Sequence, residues 1–166
     1  QVAVRSRESL LSPAWSPDGS SIAYVSFEDG NSSIRIQNIL TGARQLVSAR
    51  KGINGAPSWS PDGKKLAVSL SYVGNPEIFV IDLASHQATR LTNSLSIDTE
   101  PVWAPDGQSI YFTSDRSGRP QIYQVPVAGG TPQRITFQGQ YNAKASVSYD
   151  GKQIAMVQGG GNVYRI

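Results

Sequence analysis

Residues 13–26 read PAWSPDGSSIAYVS, and the same phrase returns three times. Residues 57–70 are PSWSPDGKKLAVSL, residues 101–114 are PVWAPDGQSIYFTS, and residues 145–158 are a worn copy, ASVSYDGKQIAMVQ. Asp18, Asp62, Asp106 and Asp150 are each 44 residues apart (62−18, 106−62, 150−106). So regular a period is an architecture, and it is read before any site is sought.

One copy shows what the unit is. In residues 56–92, APSWS is strand-like and Ser60-Pro61-Asp62-Gly63 is a tight turn. Pro presets φ, Asp bonds nearby backbone N–H groups, and Gly takes the φ > 0 position that lets the chain re-enter a strand. KKLAVSL, EIFVIDL and ATRLTN follow as strands between turn signals, and helical periodicity is absent. The copies agree at Ile34, Ile78 and Ile122, at Val47, Leu91 and Ile135, and at Trp15, Trp59 and Trp103. In the last copy Val147 replaces Trp and Tyr149 replaces Pro.

Four antiparallel strands repeated every 44 residues predict an all-β fold, a β-propeller of about four blades. The repeats fall near 12–55, 56–99, 100–143 and 144–166. The N-terminal QVAV is expected to complete the last blade as its fourth strand, through residues 1–5. Such ends fit either a four-bladed closure or part of a larger, six-bladed ring.

The 166 residues suffice for one domain with a core. Hydrophobic residues make up 39% and charged residues 16%, with 16 Gly and 10 Pro, which suits a turn-rich globular chain and excludes disorder. No apolar run approaches the roughly 20 residues of a membrane span, so no direct membrane insertion is expected. No leader peptide is evident, which leaves a processed, trimmed or cytosolic chain. The absence of cysteine removes disulfides and thiolate metal sites and fits an oxidising compartment. The net charge of +3 comes from scattered basic residues, so no nucleic-acid partner is expected.

Loops alternate between the two faces of an up-and-down blade. The SPDG turns share a face with Thr41-Gly42, Ser85-His86 and Gly129-Gly130. The blade-to-blade connections, residues 50–57, 93–101 and 137–145, open on the other face and crowd the channel mouth. They differ from copy to copy, as loops that meet a partner do. Asp98 and Glu100 are expected there beside Lys144, Asn54, Asn142 and Tyr141. The alternative is that Thr99 and Glu100 only hydrogen-bond the turn into the inner strand. No cofactor is expected. Oxygen ligands such as Asp98 and Glu100 would suit a channel calcium ion, but no EF-hand-like spacing supports one. Catalysis finds little: the single histidine, His86, lies on the opposite face, and no nucleophile elbow or P-loop occurs. Asp115, Arg116 and Arg119 read as a polar hairpin turn with a weak ion pair.

The pattern P-x-W-S-P-D-G … S-D-R-x-G-x-P-x-I-Y resembles the WD40-like repeat of bacterial propellers. Through NGAPSWSPDGKKLA (54–67), DTEPVWAPDGQSIYFTSDRSGRPQIYQV (98–125) and GGTPQRITFQG (129–139), the whole chain is similar to the TolB-like propellers of the periplasmic Tol–Pal system. That resemblance implies a non-catalytic, periplasmic protein that supports envelope integrity. It implies docking of the peptidoglycan-associated lipoprotein Pal over the channel mouth, a contact that some colicins mimic with their translocation segments. The implied contacts are Ile53, Asn54 and Ala56, then Thr99, Glu100 and Pro101, with Tyr141 and Asn142 in the third connection. Ile53 departs from the histidine of familiar relatives. The family also carries an α/β domain and six blades, where this sequence encodes about four blades and no such domain. Similar repeats occur in prolyl-oligopeptidase-type and tricorn-like peptidases, so a substrate-gating propeller is the competing reading. A trimmed propeller piece without its own activity is a third.

Overall fold

The computed structural model describes residues 3–160 and 163–166, and every regular element in it is a strand. Blade 1 is β1 (Leu10–Trp15), β2 (Ser21–Ser26), β3 (Ser33–Asn38) and β4 (Arg44–Ser48). Blade 2 is β5 (Asn54–Trp59), β6 (Lys65–Leu70), β7 (Glu77–Asp82) and β8 (Ala88–Arg90). Blade 3 is β9 (Asp98–Trp103), β10 (Ser109–Ser114), β11 (Gln121–Pro126) and β12 (Gln133–Arg134). Blade 4 is β13 (Tyr141–Val147), β14 (Ile154–Gly160) and β15 (Val163–Arg165). Each sheet is an antiparallel meander in sequence order. This is the propeller architecture the 44-residue period predicts.

The SPDG turn works as its residues dictate. Gly19 N donates to Ser16 O at 2.9 Å, and Gly19 sits at φ 70°. The Asp18 carboxylate accepts from Ser16 Oγ at 2.6 Å and from Ser20 N at 3.0 Å, tying the turn from inside. Those bonds, led by the Ser16 hydroxyl, hold the Asp18 carboxyl down at about 2. Successive turns also nest. A Cβ on Gly63 would lie 3.8 Å from Pro17, and one on Gly107 would lie 3.8 Å from Pro61.

The repeated tryptophan explains how the blades register. Trp59 Nε1 donates to Ala14 O at 3.0 Å, and Trp103 Nε1 donates to Ser58 O at 3.1 Å. Each indole therefore reaches back to the inner strand of the blade before it. Around these bonds the faces interlock. Ala23, Ile34 and Ile36 of blade 1 meet Leu66, Val68, Leu70, Phe79 and Ile81 of blade 2. Ala67, Ile78 and Val80 then meet Trp103, Ile110, Phe112, Tyr123 and Val125 of blade 3. Because blade 2 is covered on both faces, β6 and β7 are buried almost continuously instead of on alternate residues.

The fourth blade has three strands among the described residues. Of the segment 1–5 expected to complete it, residues 3–5 carry no regular strand. Residues 1–2 lie outside the described residues. Ala3 O and Arg5 O accept from Gln37 Nε2 at 2.7 Å and Arg44 Nη2 at 3.0 Å, so residues 3–5 contact blade 1.

Candidate functional site

Every inner strand carries an irregularity at one repeat position. The register shifts between Leu11 and Ala14, between Gly55 and Ser58, opposite Tyr111 and Thr113, and between Ala143 and Ser146. Inside these bulges Ser12, Ala56, Glu100 and Lys144 all take left-handed backbone, at φ 50°, 48°, 53° and 54°. They are 44 residues apart, and together they line a central opening of about 500 Å³. A bulge re-aims side chains. Here it turns serine, alanine, a carboxylate and an ammonium toward one space. Glu100 Oε2 accepts from Thr113 Oγ1 at 2.9 Å and from Lys144 N at 3.1 Å, which bridges blades 3 and 4.

Two residues earlier in the last three copies stands a second row, Asn54, Asp98 and Asn142, all fully buried. Asn54 Nδ2 donates to Arg50 O at 2.7 Å, and its Oδ1 accepts from Ser48 Oγ at 2.6 Å and Arg50 N at 3.0 Å. Asn142 Nδ2 donates to Gln138 O at 2.7 Å and to Gln121 Oε1 at 2.8 Å. Asp98 Oδ2 accepts from Arg116 Nη2 at 2.6 Å. Burial pushes the Asp98 carboxyl up, against the opposing pull of Ser114, Arg116 and Thr92. These buried side chains hold the connections from beneath. The ion pair expected within 114–123 is replaced by this bond, because Arg116 turns back to Asp98 and stacks 4.9 Å over Tyr123. Asp115 Oδ1 instead accepts from Ile97 N at 2.8 Å.

The sequence-predicted residues therefore fall into separate layers. Eight of them belong to an inner strand, since β5, β9 and β13 begin earlier than the loop boundaries suggested; only Ile53 lies in a loop. Ile53 and Tyr141 are exposed, Ala56, Thr99 and Glu100 are half-buried, and Asn54, Asp98, Asn142 and Pro101 are buried. Asp98 faces Arg116, not the opening, and among the described residues no group of three or more His, Asp or Glu side chains could hold a metal ion.

Besides Ile53, the loops present apolar groups that the sequence reading passed over. Leu95 is 100% exposed, Phe137 75%, Ile53 51% and Ile97 50%, with Tyr72 and Val73 on the adjoining β6–β7 turn. Arg50 stacks 4.6 Å over Tyr72, and Arg134 lies 5.5 Å over Phe137. All lie on the connections or the β6–β7 turn, which open on one face of the blades and give it an apolar rim, and two of them carry a cationic support. Apolar residues inside segments rich in Gly, Ser and Asn were the available signal.

Among known proteins, the family profile described as the TolB beta propeller domain matches residues 1–166. The chain is 78% identical, over its whole length, to the Tol-Pal system protein TolB of Xanthomonas oryzae pv. oryzae. It spans 38% of that relative's length. The crystal structure of TolB from Acinetobacter baumannii superposes with a TM-score of 0.91 at 47% identity, over 98% of this chain and 41% of that one. A putative TolB from Agrobacterium tumefaciens, at 24% identity and a TM-score of 0.79, shares the fold over 98% of this chain and 74% of that one.

Proposed function

The chain belongs to the TolB β-propeller family, and from that membership we propose that it is a non-catalytic docking propeller whose connection face receives Pal in the periplasm. The observation that carries the reading is the apolar rim: Leu95, Phe137, Ile53 and Ile97 stand exposed on connections whose bases are locked by buried hydrogen bonds. Exposed apolar groups on a pinned backbone lose little entropy on association and supply the few anchors that dominate binding. The opening beneath the rim offers Glu100 and Lys144 as polar partners at its centre. Ile53, Tyr141, Thr99, Glu100 and Ala56 contact the partner directly in this reading, while Asn54, Asp98, Asn142 and Pro101 position the loops. The same face would take a colicin translocation segment that mimics Pal.

Calorimetric titration with the soluble domain of Pal tests this. Saturable one-to-one binding is expected, weakened about tenfold by Thr99→Ala or Glu100→Ala, a loss of about 1.4 kcal/mol. Absence of binding sinks the function. Binding that neither substitution changes sinks the site.

A further inference from the structure

We propose that Asp98 binds a proton at Oδ1 and donates it to Glu77 Oε2, as the Asn142 side-chain amide donates to Gln121 Oε1 at the next blade boundary. Two neighbouring blade boundaries share one buried frame. Asn54, Asp98 and Asn142 occupy one repeat position, Glu77 and Gln121 a second, Thr92 and Thr136 a third, each 44 residues apart. Thr136 Oγ1 donates to Gln121 Oε1 at 2.7 Å while accepting from Ile122 N at 3.0 Å. Thr92 Oγ1 likewise donates to Glu77 Oε2 at 2.5 Å while accepting from Ile78 N at 2.9 Å. The frames coincide bond for bond up to the third residue. At the Asn/Asp position they part: Asn142 Nδ2 donates to Gln121 Oε1 and to the carbonyl four residues back, whereas the carbonyl four residues before Asp98, Ser94 O, accepts from Asn75 Nδ2 at 3.1 Å.

Asp98 in ionised form has no proton to give. Its Oδ2 is satisfied by Arg116, but Oδ1 is buried and has no hydrogen-bond partner. A bare carboxylate oxygen in a dry site is costly, whereas a protonated carboxyl regains a donor. Carried over by the repeat, the acceptor for that donor is Glu77 Oε2, in the place of Gln121 Oε1. The groups around the pair are Glu77 from β7, Arg90 from β8 (Nη2 3.1 Å from Glu77 Oε1), and Arg116 and Asp115 following β10. Ser69 of β6 donates only to the Asp98 backbone carbonyl, at 3.0 Å. The displacement of the Asp98 carboxyl by burial agrees in direction. Because the folded chain then holds the proton more tightly than the unfolded chain, this contribution to stability is full in acid and is lost as pH rises through the folded value. Glu77 Oε1 also accepts from Ser94 N at 2.7 Å, so the proton tightens the connection that carries Leu95 and Ile97. Only this last consequence for docking rests on the proposed Pal reading.

Side-chain carboxyl carbons followed by NMR through a pH titration of the whole chain test the proposal. Asp98 is expected to titrate above the ordinary aspartate range, while Asp18, Asp62, Asp82 and Asp150 titrate below it in the same spectra. The difference in melting temperature between the wild type and Asp98→Asn is expected to shrink toward zero in acid. Titration of Asp98 at or below the ordinary value overturns the proposal, and so does a melting difference that is the same in acid and at neutrality. The titration is read on the unsubstituted chain, so it decides even if asparagine is not tolerated. It involves no Pal, so failed docking leaves it standing.

Discussion

Replacing tryptophan by phenylalanine at Trp15, Trp59 and Trp103 makes one chemical change at three copies of one position. At Trp103, which is 7% exposed, the indole N–H bond to Ser58 O is lost and that carbonyl is left without its partner. A lost intramolecular bond costs about 1 kcal/mol, and an orphaned buried acceptor adds about 1–3 kcal/mol. The smaller ring also leaves space against Ile110 and Val125, whose cluster it joins. The total expected at Trp103 is about 2–4 kcal/mol. Trp59 is partly buried and loses the same bond, to Ala14 O, so about 1–3 kcal/mol is expected. Trp15 is 60% exposed, and its change should stay within about 0.5 kcal/mol. Urea unfolding followed by far-UV circular dichroism measures all three without relying on the fluorophore being removed. If Trp15→Phe costs as much as Trp103→Phe, the repeated tryptophan acts within its own blade and the reach-back account is wrong.

Two further predictions follow from the turns and the rim. Leu95→Asp, at a fully exposed site, should leave the urea midpoint unchanged and weaken Pal binding at least tenfold; an unaltered affinity would remove Leu95 from the docking surface. The Asp18 carboxyl sits below its unfolded value of 3.8, at about 2, so its stabilising effect is present above the unfolded value and fades as pH falls toward 2. Asp18→Asn should therefore destabilise the chain at pH 7 and lose that effect near pH 2, as read from melting curves; an equal effect at both would refute it.

The blades were legible because their determinants are local and repeated. Ser-Pro-Asp-Gly dictates a turn by its own stereochemistry, and a 44-residue spacing cannot arise without stacked copies. The site was only partly legible. Asn54, Asp98 and Asn142 sit among Gly, Ser and Asn, which reads as exposed loop, yet all three are buried. Burial of a polar side chain is decided by the bulge that follows it and by partners such as Gln121 and Arg116, which lie on other strands. Their 44-residue spacing was visible and marks them as part of the repeat. Leu95 and Phe137 were passed over for the opposite reason: an apolar side chain is read as core until its surroundings are known.

The indole bonds give the stack a direction. In blades 2 and 3 the later blade brings the donor, and the earlier blade holds the acceptor. A chain emerging from synthesis N-terminus first thus presents, at its growing edge, a backbone carbonyl that water can serve until the next tryptophan arrives. Assembly in that order keeps each freshly made blade supplied with a docking point already in place, and a buried indole never has to wait for a partner still to be made.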